Sequence, residues 1–147
     1  MNNPITIAID AMGGDNAPNK VIEGIFLHSK SSKNVKYKIF GNSNLIKPLI
    51  KKYNLSEERF DIIHTEKLVE GEDSALSAAK RGKDTSLWLA VESLKKDETD
   101  AMVSAGNTGA LFLISKLNLQ MIKNIDRPAL SATITFTLPS IKWLPSI

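Results

Sequence analysis

The sequence predicts an α/β fold, a mainly parallel sheet with helices on both faces. Three observations carry that reading. Short apolar, β-branched runs alternate with stretches of helical periodicity. Two glycine-rich loops each stand between a strand and a helix. No internal repeat or low-complexity linker divides the 147 residues, which are enough to bury one core.

The elements follow in order. Residues 4–10 (Pro-Ile-Thr-Ile-Ala-Ile-Asp) form a continuous apolar run ending on an acid, the pattern of a buried parallel strand. After the loop at 11–18, Pro18 fits the first turn of a helix whose apolar face is Val21, Ile22, Ile25 and Phe26. Residues 35–40 are a second strand closed by Gly41 and Asn42. Leu45, Ile46, Leu49, Ile50 and Tyr53 then mark a helix that Pro48 either starts or kinks. Residues 60–64 make a third strand. Ala75, Leu76, Ala78 and Ala79 suggest a short helix within a polar stretch at 71–83. Leu87, Ala90, Val91 and Leu94 define a longer one, ended by Lys95, Lys96 and Asp97. A fourth strand at 100–104 leads through a loop into an apolar helix from Ala110 to about Ile122. That helix is apolar over so much of its surface that deep burial or a subunit contact is expected. A further strand is expected at 132–138.

Composition removes several function classes. The chain has no cysteine, so disulfides, Fe–S clusters, zinc fingers and thiolate nucleophiles are excluded. His28 and His64 are its two histidines, and neither a metal centre nor a cofactor is expected. The start of the chain has no basic, then apolar, leader pattern, and no run approaches a membrane span, so a cytoplasmic location is expected. The net charge of +3 is mild and does not suggest nucleic acid. It leaves room for an acidic protein or an anionic small molecule.

In parallel α/β sheets ligands sit outside the carboxyl ends of strands, where both glycine loops fall. Glycines let backbone N–H groups approach an anion, and helix N-termini favour one. Ser104, Asn107 and Thr108 add neutral donors. For either loop taken alone a tight βα turn with an ordinary cap is the favoured reading, and two such loops in one sheet bring the two readings level. Asp10 and Asp15 flank the first loop, as ligands for a substrate or as caps. The loop lacks Gly-x-Gly-x-x-Gly, the second strand lacks a ribose-binding acid, and there is no Walker A motif, so neither a nicotinamide dehydrogenase nor a P-loop enzyme is supported. Lys80, Arg81 and Lys83 form a basic cluster beside Asp84, the kind of run that is most often a solvated face.

Residues 9–18 (Ile-Asp-Ala-Met-Gly-Gly-Asp-Asn-Ala-Pro) and 103–111 (Val-Ser-Ala-Gly-Asn-Thr-Gly-Ala-Leu) closely resemble the PlsX family of bacterial phosphate acyltransferases. Residues 80–86 (Lys-Arg-Gly-Lys-Asp-Thr-Ser) and 125–130 (Ile-Asp-Arg-Pro-Ala-Leu) match in order and spacing. The resemblance implies a Rossmann-like sheet similar to isocitrate and isopropylmalate dehydrogenases. It implies transfer of a fatty acyl group from acyl carrier protein to inorganic phosphate, giving acyl phosphate for glycerol-3-phosphate acyltransferase in phospholipid synthesis. It also implies homodimers and peripheral membrane association. On this reading Asn107, Ser104 and Lys83 are the catalytic candidates. Asp10, Gly13, Gly14, Asp15, Asn16, Gly106, Thr108 and Arg81 are expected to bind substrate, and the basic cluster to dock the carrier. The match fades after about Ala132. Residues 1–132 are therefore expected to be the N-terminal part of the family domain, and 133–147 a non-family apolar tail from a truncated or frameshifted frame. An inactive remnant, or a phosphate-binding module without catalysis, is the alternative.

Overall fold

The computed structural model describes residues 3–131. The expected strand at 132–138 and the tail at 133–147 lie outside those residues. Four parallel strands, β1 (Ile5–Asp10), β2 (Val35–Gly41), β3 (Phe60–His64) and β4 (Ala101–Val103), form one sheet in the order β3-β2-β1-β4. This is the strand order of a Rossmann-type half-sheet extended by one strand. The register pairs Ile7 with Tyr37 and with Ala101, and Ile39 with Ile62.

The side-chain period of two sorts each strand between two helical layers. Ile9, Tyr37 and Ile39 point to helices α1 (Asn19–Ser31) and α2 (Ser43–Lys52), where they meet Ile22, Ile25, Ile46 and Ile50. Ala8 and Phe40, on the opposite face, meet Ala90 of α4 (Ser86–Lys95). A third cluster joins Ala78 of α3 (Ala75–Arg81), Leu87 and Val91 of α4, and Ala110 and Ile114 of α5 (Thr108–Asn118). Each fully buried Ile or Leu side chain contributes on the order of 1.5–3 kcal/mol. Helices on both faces of a parallel sheet are what the alternating pattern predicts.

Local chemistry sets the helix starts. Asn42, Ser74, Thr85 and Asn107 each accept a backbone N–H two or three residues on. Helix α1 differs. Pro18 occupies its cap position rather than its first turn, and no side chain caps the helix, so neither Asp15 nor Asn16 plays that part. Pro48 lies within α2, past the first turn. Its missing N–H leaves the Asn44 carbonyl unpaired in the helix, which is tolerable because both residues are exposed.

Two expectations about α5 change. The helix ends at Asn118, not Ile122, with Asn118 Nδ2 donating to the Ile114 carbonyl at 2.9 Å and Leu119 turning extended. It is also not deeply buried in this chain: Ala110 and Ile114 are covered, whereas Leu117 is 60% exposed. Among the described residues no helix is long and apolar enough to cross a membrane.

Candidate functional site

The strand order reverses direction between β1 and β4. The chain leaves β1 for one face of the sheet through α1 and leaves β4 for the other through α5. The two glycine loops therefore straddle a topological switch point, the place where open α/β sheets form a ligand crevice.

At that point the loops lock onto each other. Ser104 Oγ donates to Asp10 Oδ2 at 2.7 Å and accepts the Gly106 N–H at 3.2 Å. The Met12 N–H reaches Asp10 Oδ1 at 3.4 Å. Asp10 is only 2% exposed, so these bonds offset much of the cost of burying its carboxylate. Glycine is required by contact here. A Cβ on Gly13 would stand 2.5 Å from Asp10 Oδ2 and 2.9 Å from Ser104 Oγ. Gly14 adopts φ +95°, and a Cβ there would meet the Ala105 carbonyl oxygen at 2.6 Å. Asn16 is left-handed as well, at φ 60°, and its carbonyl accepts the Lys20 N–H.

Asn107 supports a third wall. Its Oδ1 caps α5 by accepting the Ala110 N–H at 2.9 Å. Its Nδ2 donates to the carbonyls of Asp73 at 2.7 Å and Gly71 at 3.0 Å. One side chain thus ties the segment 70–73 to the start of α5. The resulting cleft, about 390 Å³, is lined by Met12, Gly14, Asp15, residues 68–71 and residues 105–107.

The expected site residues divide accordingly. Asp10, Gly13, Gly14, Asp15, Ser104, Gly106 and Asn107 come together. Asn16 follows on the exposed side of its loop, and Thr108 opens α5, also exposed. Lys83 and Arg81 do not line the cleft. Lys83 is exposed past the end of α3, and Arg81 forms an ion pair with Asp73, behind the 70–73 segment. Lys80 is exposed.

The bonding pattern narrows the available chemistry. The Ser104 proton goes to Asp10, and the Gly106 N–H goes to Ser104. The Asn107 amide is filled on both sides. The backbone N–H groups of Gly13, Gly14 and Asn107 and the Thr108 hydroxyl have no protein partner among the described residues. Asp15 and Glu70 are among the lining residues of the cleft, and no Lys or Arg is. Among the described residues no group of three His, Cys, Asp or Glu is placed to hold a metal ion.

The wall at 68–71 was not expected from the sequence. Glu70-Gly71-Glu72-Asp73 has turn composition but carries no motif that points to a site. His64 accepts the Ser43 N–H on Nδ1 at 3.1 Å beside the start of α2, an ordinary structural role.

The chain matches, over residues 5–142, the family described as "Fatty acid synthesis protein". That match runs ten residues past the boundary expected at 132. A curated relative named "Phosphate acyltransferase" in Pelagibacter ubique is 57% identical over 132 residues, covering 90% of this chain and 39% of the relative. Proteins of the same name in Paramagnetospirillum magneticum and Streptococcus uberis are 42% and 41% identical, each over 89% of this chain and 37% and 38% of their own lengths. The chain spans about two fifths of the length of the curated relatives it matches.

Proposed function

Because this chain belongs to the PlsX-type fatty acid synthesis protein family, we propose that its cleft holds inorganic phosphate for attack on a fatty acyl thioester carried by acyl carrier protein. The relatives' name, phosphate acyltransferase, supports the reaction class. The observation that supports the site is the interlock of the two loops through Asp10 and Ser104, which sets Gly14 and Asn107, whose N–H groups have no partner among the described residues, in the wall of one crevice.

Phosphate near neutral pH is already an anionic nucleophile, so the absence of cysteine is no obstacle. A phosphate oxygen attacks the thioester carbonyl carbon, a C–O bond forms, and the C–S bond breaks. The thiolate leaves and takes a proton from solvent. The protein's contribution is to hold the two reactants together and to meet the developing oxyanion with oriented donors. Gly13, Gly14, Asn107 and Thr108 supply the donors. Asp10 and Ser104 hold the loops in register. Lys83 and Arg81 are candidates for charge neutralisation only if the segment bearing them moves toward the cleft. The acyl phosphate then feeds glycerol-3-phosphate acylation. A cytoplasmic enzyme, homodimeric and peripheral at the membrane, is part of the same proposal.

A second reading is phosphate binding by the backbone donors without turnover, because no Lys or Arg lines the cleft to neutralise the charge that transfer develops. One experiment separates the two. The chain is mixed with long-chain acyl carrier protein and inorganic phosphate, and acyl phosphate is trapped as the hydroxamate while free thiol is counted. Equal amounts of both products support the transferase. Slowed amide exchange at 13–16 and 105–108 on adding phosphate, without product, supports the binding module. Neither product nor slowed exchange overturns both.

A further inference from the structure

A second hollow opens on the α1 side of the sheet, next to the loop that carries Ala105. It is an apolar groove of about 320 Å³ between α1 and the strands β1 and β4. Ile7, Ile9, Val21, Ile25 and Val103 supply its walls. Val103 and its register partner Ile9 point to the same side of the sheet. Ile9 is 6% exposed and Val103 is 53% exposed, so α1 covers β1 and leaves β4 open.

Gly24 keeps the groove open. It is the one glycine of α1 and stands mid-helix, where glycine weakens the helix relative to alanine. A Cβ there would meet nothing within 4 Å, so no packing contact requires the glycine, and what it leaves is space. The polar groups of the lining are already engaged. Lys20 pairs with Glu23 at 3.0 Å. Asp10 accepts from the Ser104 hydroxyl and the Met12 N–H. His28 Nδ1 and the Tyr37 hydroxyl bond each other at 2.7 Å, and His28 Nε2 meets Ser32 Oγ at 3.0 Å. The groove therefore offers a ligand apolar surface and little polar recognition.

We propose that this groove seats the alkyl chain of the acyl thioester, with the carbonyl end at Ala105 and the chain running along β1 toward Tyr37. Three features select that occupant. Ala105 lines both the groove and the cleft, and Gly14 of the cleft packs against the Ala105 carbonyl, so the two hollows meet at one residue. Asp10, Lys20 and Ala105 lie at the carboxyl end of the strands, whereas Ile7, His28 and Tyr37 lie nearer the amino end. The rise of α1 from Lys20 to His28 gives the groove a length of about 12 Å, entered from the loops. Its volume is at the small end for ligand sites, and a helix, itself about 10–12 Å across, does not fit in it. The inference rests on the reading of the cleft for the thioester; the preference of the groove for alkyl chains is measured by itself.

The test titrates the full chain with butanoate, hexanoate, octanoate and decanoate and follows its backbone amide signals. Affinity should rise about fourfold for each CH₂ added, and the shifts should concentrate at Gly24, Ile25 and Val103. Gly24→Leu sets a side chain in the groove and removes a mid-helix glycine, so it should melt no lower than the parent. It should weaken decanoate by about tenfold or more, the equivalent of roughly two displaced CH₂ groups. Leu27→Ala removes an exposed apolar side chain of the same helix outside the groove and should keep the parent affinities. Affinity that does not depend on chain length overturns the proposal. So does decanoate binding that Gly24→Leu leaves unchanged, or an equal loss in both variants. A parent that sediments as a dimer while Gly24→Leu is monomeric gives the groove to a second copy of the chain and also overturns it. The two readings fail separately. Alkyl binding at the groove without acyl phosphate formation supports the groove and counts only against transfer. Equal rates of acyl phosphate formation from butanoyl and decanoyl carrier protein, unchanged by Gly24→Leu, uphold transfer and overturn the groove.

Discussion

The Ser104 hydroxyl donates to Asp10 Oδ2 across 2.7 Å, joining the carboxyl ends of β4 and β1, 94 residues apart in the chain. Ser104→Ala leaves a carboxylate oxygen that is buried without its O–H donor. The expected loss is about 1–3 kcal/mol of unfolding free energy. Ser104→Thr retains the hydroxyl and should recover most of it. Urea denaturation of the three proteins measures the difference, and an alanine variant with the parent midpoint would show that the bond contributes nothing to stability.

Two glycines should respond to alanine in opposite directions. At Gly13 the added methyl meets the Asp10–Ser104 pair at 2.5 and 2.9 Å, so the loops must separate, at a cost of roughly 1–3 kcal/mol. Gly24 lies mid-helix in α1 with nothing within 4 Å of the position a Cβ would take, and Gly24→Ala should stabilise by about 0.5–1 kcal/mol. Thermal melts of the two variants provide the comparison.

Asn107 caps α5 with one end of its amide and holds 70–73 with the other. Asn107→Asp keeps the cap acceptor but sets an oxygen against the Asp73 and Gly71 carbonyls. Its amide exchange should stay slow at the start of α5 and quicken at 70–73. Asn107→Ala should quicken both and cost about 0.5–2 kcal/mol for the cap alone. If the Ala variant forms acyl phosphate at the parent rate, Asn107 has no part in the cradle.

Burial holds the Tyr37 hydroxyl above its ordinary pKa of 10.0, against a smaller opposing pull from the Arg59 guanidinium. A pKa raised in the folded state means that the protonated form is the one favoured by folding. That contribution is complete below the unfolded pKa and disappears as pH rises through the folded value. Stability should therefore fall above about pH 10. Tyr37→Phe should flatten this alkaline decline while losing the 2.7 Å contact with His28 Nδ1 at neutral pH. Denaturation across the alkaline range checks both limbs.

The strands and helices were legible because Ile5–Asp10, Val35–Gly41 and the faces of α1 and α4 bury their apolar residues at the periods their sequences show. The end of α5 was not. Leu119, Met121 and Ile122 continue an apolar pattern, yet the helix ends where Asn118 Nδ2 bonds the Ile114 carbonyl and Leu119 turns extended. Within the site, the glycines, Asp10 and Ser104 could be found because each loop is a compact motif. The 70–73 wall could not, because its carbonyls are held by an amide 34 to 37 residues away. Lys83 and Arg81 resemble the family's basic segment in sequence. Their placement depends on the turn after α3 and on the Asp73 ion pair, neither of which a local pattern encodes.

Strand β4 is three residues long and forms the margin of the described sheet. Among the described residues its one strand partner is β1, which leaves its outer edge without a ladder partner there. Any strand recruited there in parallel, from this polypeptide or another, would end beside residues 104–109. The crevice would then pass from the rim of the sheet to its interior, walled on both flanks. A strand added at that margin would extend the wall beside the loop after β4, so conditions that add one should also change what the loops can hold.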